Sequence, residues 1–184
     1  IRRHARDRKA RAETLASEER LHTMRHSAAH VLAMAVLRLY PNAKLGTGPA
    51  IDNGFYYDID MGDHRLTPGD LEAIEKRMGE LASRDVPYSR QEISWDEAVS
   101  YFSEKNDPYK LDLLEGMKGQ AITFYRQGNF TDLCYGPHIP STGRIKAIKL
   151  LSVAGAYWRG DEKNKMLQRI YGITFPTDAE LSGY

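Results

Sequence analysis

The sequence predicts an α+β domain, on three observations. Residues 23–40 contain no glycine or proline and are apolar almost all round from residue 28 to residue 37, the pattern of a buried helix. Short runs rich in aromatic and β-branched residues, such as Phe55, Tyr56, Tyr57 and Ile59, stand between Gly/Pro clusters as strands do. Helical and strand-like stretches follow one another without a regular βαβ rhythm, which argues against a parallel sheet.

Taken in order, residues 1–22 lack a clean apolar stripe and read as a basic, polar helical arm or linker. The domain proper is expected over residues 23–184. Thr23 is a natural N-cap for the buried helix, and Pro41 stops it. A Gly-rich turn at residues 46–49 leads into the strand at residues 55–59. Thr67-Pro68-Gly69-Asp70 is a helix start with proline at the first position, followed by helical spacing over residues 71–81. Ser94 and Glu97 have the spacing of a capping box for another short helix. Beyond Asp107 and Pro108 come strand-like runs at residues 121–125 and 130–133, then a Gly/Pro-rich loop over residues 135–143. Residues 145–154 and 166–173 complete the ordered part. No internal repeat or low-complexity segment interrupts this order.

Composition bounds the function classes. The chain has 184 residues, 41% of them apolar and 28% charged, enough for one domain with a small appendage. No stretch approaches the ~20 apolar residues needed to cross a bilayer, and no signal peptide is recognisable. The single cysteine leaves no internal disulfide framework, so cytoplasmic residence is expected. Ile1 in place of methionine reads as the start of a piece cut from a longer protein. The net charge of +1 hides an asymmetry: residues 1–11 hold five arginines and Lys9 against Asp7 alone, and the remainder is net acidic. Such an arm suits an RNA backbone, but a solvated linker has the same composition.

Two pairs of ligand-type residues stand out. His26-Ser-Ala-Ala-His30 places two imidazoles on one face of the buried helix. Cys134-Tyr-Gly-Pro-His138 joins a thiol and an imidazole through a turn that can aim both inward. Each alone has a plain structural explanation: a satisfied core histidine pair, and a small buried cysteine. Together they offer three imidazoles and a thiol, the donor set of tetrahedral zinc. The same residues could activate water through a histidine base, or work as a Cys/His nucleophile.

Around these pairs lie longer blocks: HSAAH at 26–30, GPAIDNGFYYDID at 48–60, DPYK at 107–110, DLCYGPHIPSTG at 132–143 and AYWRGDEKNKMLQRIYG at 156–172. In this order they resemble the editing domain of bacterial-type threonyl-tRNA synthetases, from residue 24 to residue 184. The HxxxH and CxxxH pairs are shared with alanyl-tRNA editing domains, whereas GFYYDID and YWRGDEKNKMLQRIYG point to the threonyl branch.

The resemblance implies a two-lobed α+β domain with an antiparallel sheet packed by helices and an active-site cleft holding both pairs. It implies a deacylase that hydrolyses the ester of serine wrongly attached to the 3′ end of tRNA(Thr), the other synthetase domains lying outside these blocks. The chain alone is then expected neither to charge tRNA nor to read an anticodon, and to be monomeric. Its functional positions fall on His26, His30, Cys134 and His138, with Lys110 and Asp132 as further polar active-site residues and Tyr57 as a pocket tyrosine. His26 or Lys110 is expected to handle the water or leaving-group proton. Asp132 and the backbone near Gly48 are expected to receive the substrate's amine. Zinc at the four-residue cluster is a family alternative to water alone. Two rivals are an alanyl-type deacylase acting on Ser-tRNA(Ala), and a non-catalytic RNA-binding relative. Tyr56 and Trp158 read as core, His64 as surface, and Lys163, Lys165 and Arg169 as either an RNA contact or a solvated helix face; His4 and His22 carry no assignment.

Overall fold

In the computed structural model residues 2–184 are described, with side chains from His4 onward; Ile1 and the side chains of Arg2 and Arg3, part of the basic arm, lie outside the described residues. Helix α1 runs unbroken over Arg2–Leu39. The break expected at Thr23 is absent. Alanine, arginine and glutamate at most positions from 5 to 20 favour helix, and the Thr23 hydroxyl donates back to the Glu19 carbonyl at 2.9 Å instead of capping a new start. The arm and the buried helix are therefore one rod. Its first half is exposed, and from Ser27 to Val36 it is buried.

The first lobe packs α1 and α2 (Pro68–Ser83) on an antiparallel sheet. That sheet has the order β1-β3-β8-β7: β1 (Lys44–Leu45), β3 (Gly54–Asp60), β8 (Met166–Phe175) and β7 (Ala147–Tyr157), with the short β2 (Ala50–Ile51) also pairing with β3. The expected helix start at Thr67 is a complete capping box, with Thr67 and Asp70 each bonding the other's backbone. Ala28, Leu32, Phe55, Tyr57, Ile59, Ile74, Met78 and Ile170 form the fully buried centre of this lobe's core.

The second lobe is a three-stranded antiparallel sheet, β4 (Ser89–Ile93), β5 (Ile122–Gln127) and β6 (Phe130–Leu133), with α3 (Trp95–Glu104) and α4 (Pro108–Glu115). Ser94 caps α3 by accepting from the Glu97 N–H at 3.1 Å. Register decides what each face of this sheet does. Phe124 pairs with Leu133, and both join Ala98, Phe102, Leu114 and Ile122 in a separate core. Side chains alternate faces along a strand. The opposite face therefore carries Tyr125, Gln127, Phe130 and Asp132, and it turns toward the histidines of α1. A short helix, α5 (Asp178–Ser182), ends the chain.

Candidate active site

The two pairs picked out by spacing converge where α1 meets the second lobe. His26 and His30 come from α1. Cys134 and His138 come from the loop after β6, whose turn is made by Gly136 at φ 76°. One potential ligand atom from each of the four side chains lies within 4.8 Å of the others. The His138 ring is 4.3 Å from that of His26 and 4.1 Å from that of His30, and it is stacked on Tyr88 at 4.8 Å.

Each ring is held by a specific partner. His26 Nδ1 faces the Pro137 carbonyl at 3.3 Å. A carbonyl oxygen only accepts, so Nδ1 carries the proton and Nε2 of neutral His26 keeps its lone pair. His138 Nδ1 lies 2.9 Å from Ser27 Oγ, and its Nε2 lies 3.1 Å from Cys134 Sγ. Ser27 Oγ also accepts the Ile139 N–H at 3.0 Å, and Tyr88 donates to the Ser27 carbonyl at 3.0 Å. Hydroxyl and thiol each donate or accept, so both neutral tautomers of His138 are satisfied.

Beside this cluster is a buried ionic network. Lys110 Nζ lies 2.6 Å from Asp132 Oδ1, and it donates to the Tyr57 hydroxyl at 3.0 Å. Tyr57 in turn donates to Asp132 Oδ2 at 2.7 Å, and His30 Nε2 stands 3.4 Å from the same oxygen. Lys110 is set by α4, Tyr57 by β3 and Asp132 by β6. Three elements from two lobes thus meet at one carboxylate.

The electrostatics follow from burial. Desolvation pushes the His30 pKa down to about 4, against the pull of Asp132, and lowers those of His26 and His138 as well. All three imidazoles are neutral at pH 7. Burial acts to raise the Asp132 carboxyl, but the Lys110 ammonium, His30 and two hydrogen bonds reverse this and keep it ionised. Burial, reinforced by Asp132, pushes the Tyr57 phenol well above its ordinary value. The same two causes push the Cys134 thiol up to about 12. A protonated thiol beside a neutral imidazole is a poor nucleophile, which speaks against the Cys/His nucleophile alternative.

The donor set fits a metal ion. Three imidazoles and one thiol are grouped closely, and Pro137 and Ser27 already orient the His26 and His138 rings from their Nδ1 side, as outer-shell groups do around zinc. The Cys134 proton would have to leave on binding.

Gly48 sits against Tyr57, and a Cβ there would run into the edge of the Tyr57 ring. Gly46 is less tight, a Cβ there coming 2.9 Å from the Asp58 carbonyl oxygen. The close approach expected of this loop is thus made to β3. Among the other sequence expectations, Trp158 is buried and Tyr56 half-buried, packed under the Arg169 guanidinium at 3.9 Å. His64 is at the surface, bonded to Asp70 at 3.0 Å. The basic stretch at residues 163–169 is a hairpin loop and β8 strand, not a helix face. Two of its cations are committed: Lys165 to Asp60 at 3.0 Å, and Arg169 to Asp58 through two bonds of 2.7 and 2.9 Å. Sequence reading missed Ser27, Tyr88, Tyr125 and Gln127. Ser27 alone left a trace, inside HSAAH, where it reads as helix filler.

A cavity of about 170 Å³, lined by Leu113, Met117, Thr123, Leu133, Cys134 and Tyr135, opens against the cluster. A larger open groove of about 640 Å³ between α2 and β7 shares no lining residue with it.

The family model described as "Threonyl and Alanyl tRNA synthetase second additional domain" matches residues 122–171, which span β5, β6, the Cys134–His138 loop, β7 and the start of β8. The threonine–tRNA ligase of Cytophaga hutchinsonii is 62% identical over 162 residues, 88% of this chain and 25% of the relative. That of Clostridium tetani is 56% identical over 172 residues, 93% and 27%, and that of Clostridioides difficile 55% over 161 residues, 87% and 25%. The chain spans about a quarter of the length of these relatives. Across most of its length the chain is thus similar to a segment of threonine–tRNA ligases, and its residues 122–171 match the second additional domain described for threonyl and alanyl tRNA synthetases.

Proposed function

We propose that the chain is an aminoacyl-tRNA deacylase that hydrolyses serine from Ser-tRNA(Thr) on behalf of a longer synthetase. The observation that carries this reading is the union of a neutral three-histidine cluster with the Lys110–Asp132–Tyr57 network, in a chain similar to these ligases. Such a site offers a base, a fixed positive charge and a set of polar anchors within one buried corner.

His26 is the base, since its Nε2 lone pair is free and it is the more exposed of the two α1 histidines. It takes a proton from water as the water oxygen bonds the ester carbonyl carbon. The carbonyl oxygen becomes an oxyanion, stabilised by the positive charge of Lys110. The carbon–oxygen bond to the ribose then breaks, and the ribose oxygen receives the proton from His26. Serine and free tRNA leave. His30, Cys134 and His138 orient the water. Asp132 is already engaged by Lys110, Tyr57 and His30, so its first role is to hold Lys110 and Tyr57 in place. A substrate ammonium shares it with Lys110.

The need for such a site is energetic. Threonine and serine differ by one methyl group, which a synthetic pocket distinguishes by only ~1–3 kcal/mol. A second pocket would reject threonine by steric clash, with the buried His30, Tyr57 and Asp132 as its wall. Were zinc held by His26, His30, Cys134 and His138, it would supply a Lewis acid for the water or the carbonyl, and His26, its Nε2 then committed to the metal, would no longer be the base. The tRNA(Thr) 3′ end and the remaining synthetase domains are the proposed partners.

The test is deacylation of serine-charged tRNA(Thr) by this chain, with threonine-charged tRNA as control, each with and without a chelator. Loss of serine with threonine spared supports the reading; loss of neither, or of both equally, sinks it. Activity that survives the chelator removes zinc from the scheme.

A further inference from the structure

The first half of α1 is an arm that the core does not explain. Residues 4–15 are exposed without exception, and the buried stretch of the helix begins only at Ser27. Helix there is propagated from the packed half and supported by alanine and arginine. The arm is a rod held at one end, and it displays its side chains in a fixed order.

The helical period sets that order. Arg8 stands 18 residues before His26. This is about five turns at ~3.6 residues per turn, so both side chains leave α1 on one face, ~27 Å apart along the axis. Arg11 and His4 lie within about 60° of the same direction. His4, Asp7, Arg8 and Arg11 line one open recess of about 550 Å³. Arg6 and Lys9 are turned away, by about 160° and 100°. Among the described residues of the arm, the one salt bridge joins Lys9 to Glu13 at 3.9 Å. Arg8 and Arg11 thus keep their charge for something outside the chain. Leu15 and Glu19 separate them from the site on the same face, which confines the cationic part to the far end of the arm.

We propose that Arg8 and Arg11 bind the phosphate backbone of the RNA whose 3′ end lies at His26, at the acceptor stem behind the single-stranded end. This rests on the deacylase reading, which puts the last ribose at the cluster. Exposure on this face rises from His30, buried, through His26, half-buried, to His22, exposed. The cluster therefore opens toward the arm, and a strand leaving it on that side runs along the rod. A distance of ~27 Å is beyond the terminal nucleotide and within reach of the paired bases behind it. Guanidinium groups match phosphate oxygens in their fork geometry, and such contacts position an RNA without reading its sequence. Leu15 and Leu21 are the only apolar side chains larger than alanine in residues 4–22, too few for a protein groove or a membrane face.

The test uses the full chain and a hairpin RNA that copies the tRNA(Thr) acceptor stem with its single-stranded 3′ end, uncharged for binding and serine-charged for turnover. Arg8→Gln with Arg11→Gln is compared with Arg6→Gln with Lys9→Gln, which removes the same charge from the other sides of the same turns. Glutamine keeps the helix, and exposed positions cost the fold little. The first pair is expected to weaken binding roughly tenfold at low salt and to flatten the log–log salt dependence by about 1–2 in slope. KM should rise by the same factor with kcat unchanged. The second pair, screened from the strand by the width of the helix, is expected to stay within about threefold of wild type. A serine ester of adenosine alone is too short to reach the arm, so wild type and both variants are expected to hydrolyse it alike. Equal losses from the two pairs overturn the proposal, since they reduce the arm to bulk charge. Wild-type affinity in the Arg8 and Arg11 variant overturns it as well. Lost activity on the short ester does the same, because the arm would then act on the site and not on RNA. A chain that binds the hairpin through Arg8 and Arg11 but hydrolyses nothing sinks the deacylase reading alone.

Discussion

Lys110 and Asp132 are both almost fully buried and 2.6 Å apart, so neither can be removed alone without leaving the other charge uncompensated. Breaking a buried pair costs roughly 3–5 kcal/mol, whereas replacing both partners is far milder. Lys110→Met is therefore expected to lower stability by about that much as well as abolish turnover. Lys110→Met combined with Asp132→Asn should recover most of the stability and none of the activity, read by urea unfolding alongside deacylation. If Lys110→Met unfolds at the wild-type midpoint, the pair is not the buried ionic unit described here. His26→Ala leaves no buried ion behind, so its turnover reads more directly on chemistry. The residues whose type declares their chemistry were legible in the chain: histidines four apart, and a cysteine and histidine bracketing a turn. Ser27 and Tyr88 were not, because their roles come from which ring they touch. Phe130 meets His30 from 100 positions along the chain only because β6 pairs with β5 at the register that turns this face of the sheet toward α1.

Elements were legible where the backbone's own demands were written locally. The Thr67–Asp70 box and the Pro68 start define α2 on their own terms, and the buried stripe from Ala28 to Val36 marks the second half of α1. Helix α4 was hidden because Asp107 makes no side-chain cap and Pro108 reads as a break, although proline is comfortable in a first turn. Strand β4 is Ser-Arg-Gln-Glu-Ile, exposed along nearly its whole length; pairing with β5, not apolar alternation, makes it a strand. The turn joining Cys134 to His138 has its own local requirement. Gly136 has φ 76°, and a Cβ there would run into the Tyr125 hydroxyl. Gly136→Ala is expected to lose about 1–2 kcal/mol to the left-handed backbone alone, lowering the thermal midpoint by several degrees in a chain of this size. Deacylation should fall with it, as His138 is moved off Ser27. An alanine variant with unchanged midpoint and turnover would show that this turn does not hold the cluster.

The whole molecule stores its most pH-sensitive groups at the junction of its lobes. His26 and His30 belong to the first lobe, and they face His138, Asp132 and Lys110 carried by the loop and elements of the second. A histidine buried in neutral form makes the folded state bind fewer protons than the unfolded one. For His30 the window lies between the ordinary value near 6.5 and its folded value of about 4. Within it the unfolded chain takes up a proton that the folded chain refuses, so stability rises with pH across the window and is flat above it. His26 and His138, also lowered by burial, act in the same direction. Asp132 has the opposite charge type but the same sign: its carboxyl is held low, so its contribution is present above the ordinary carboxylate value and fades only at still lower pH. The metal-stripped protein is thus expected to lose stability steadily from pH 7 to pH 4.5, His30 alone accounting for a loss on the order of 3 kcal/mol across its full window. Urea midpoints measured at half-unit steps check this, with His30→Asn as the partner variant. That variant should start less stable at pH 7 and show a shallower slope, so the two curves converge toward acid. A wild-type midpoint that stays level between pH 7 and 4.5 would mean that water reaches these rings freely, and that the two lobes do not close over them as tightly as the packing of His138 between His30 and Tyr88 requires.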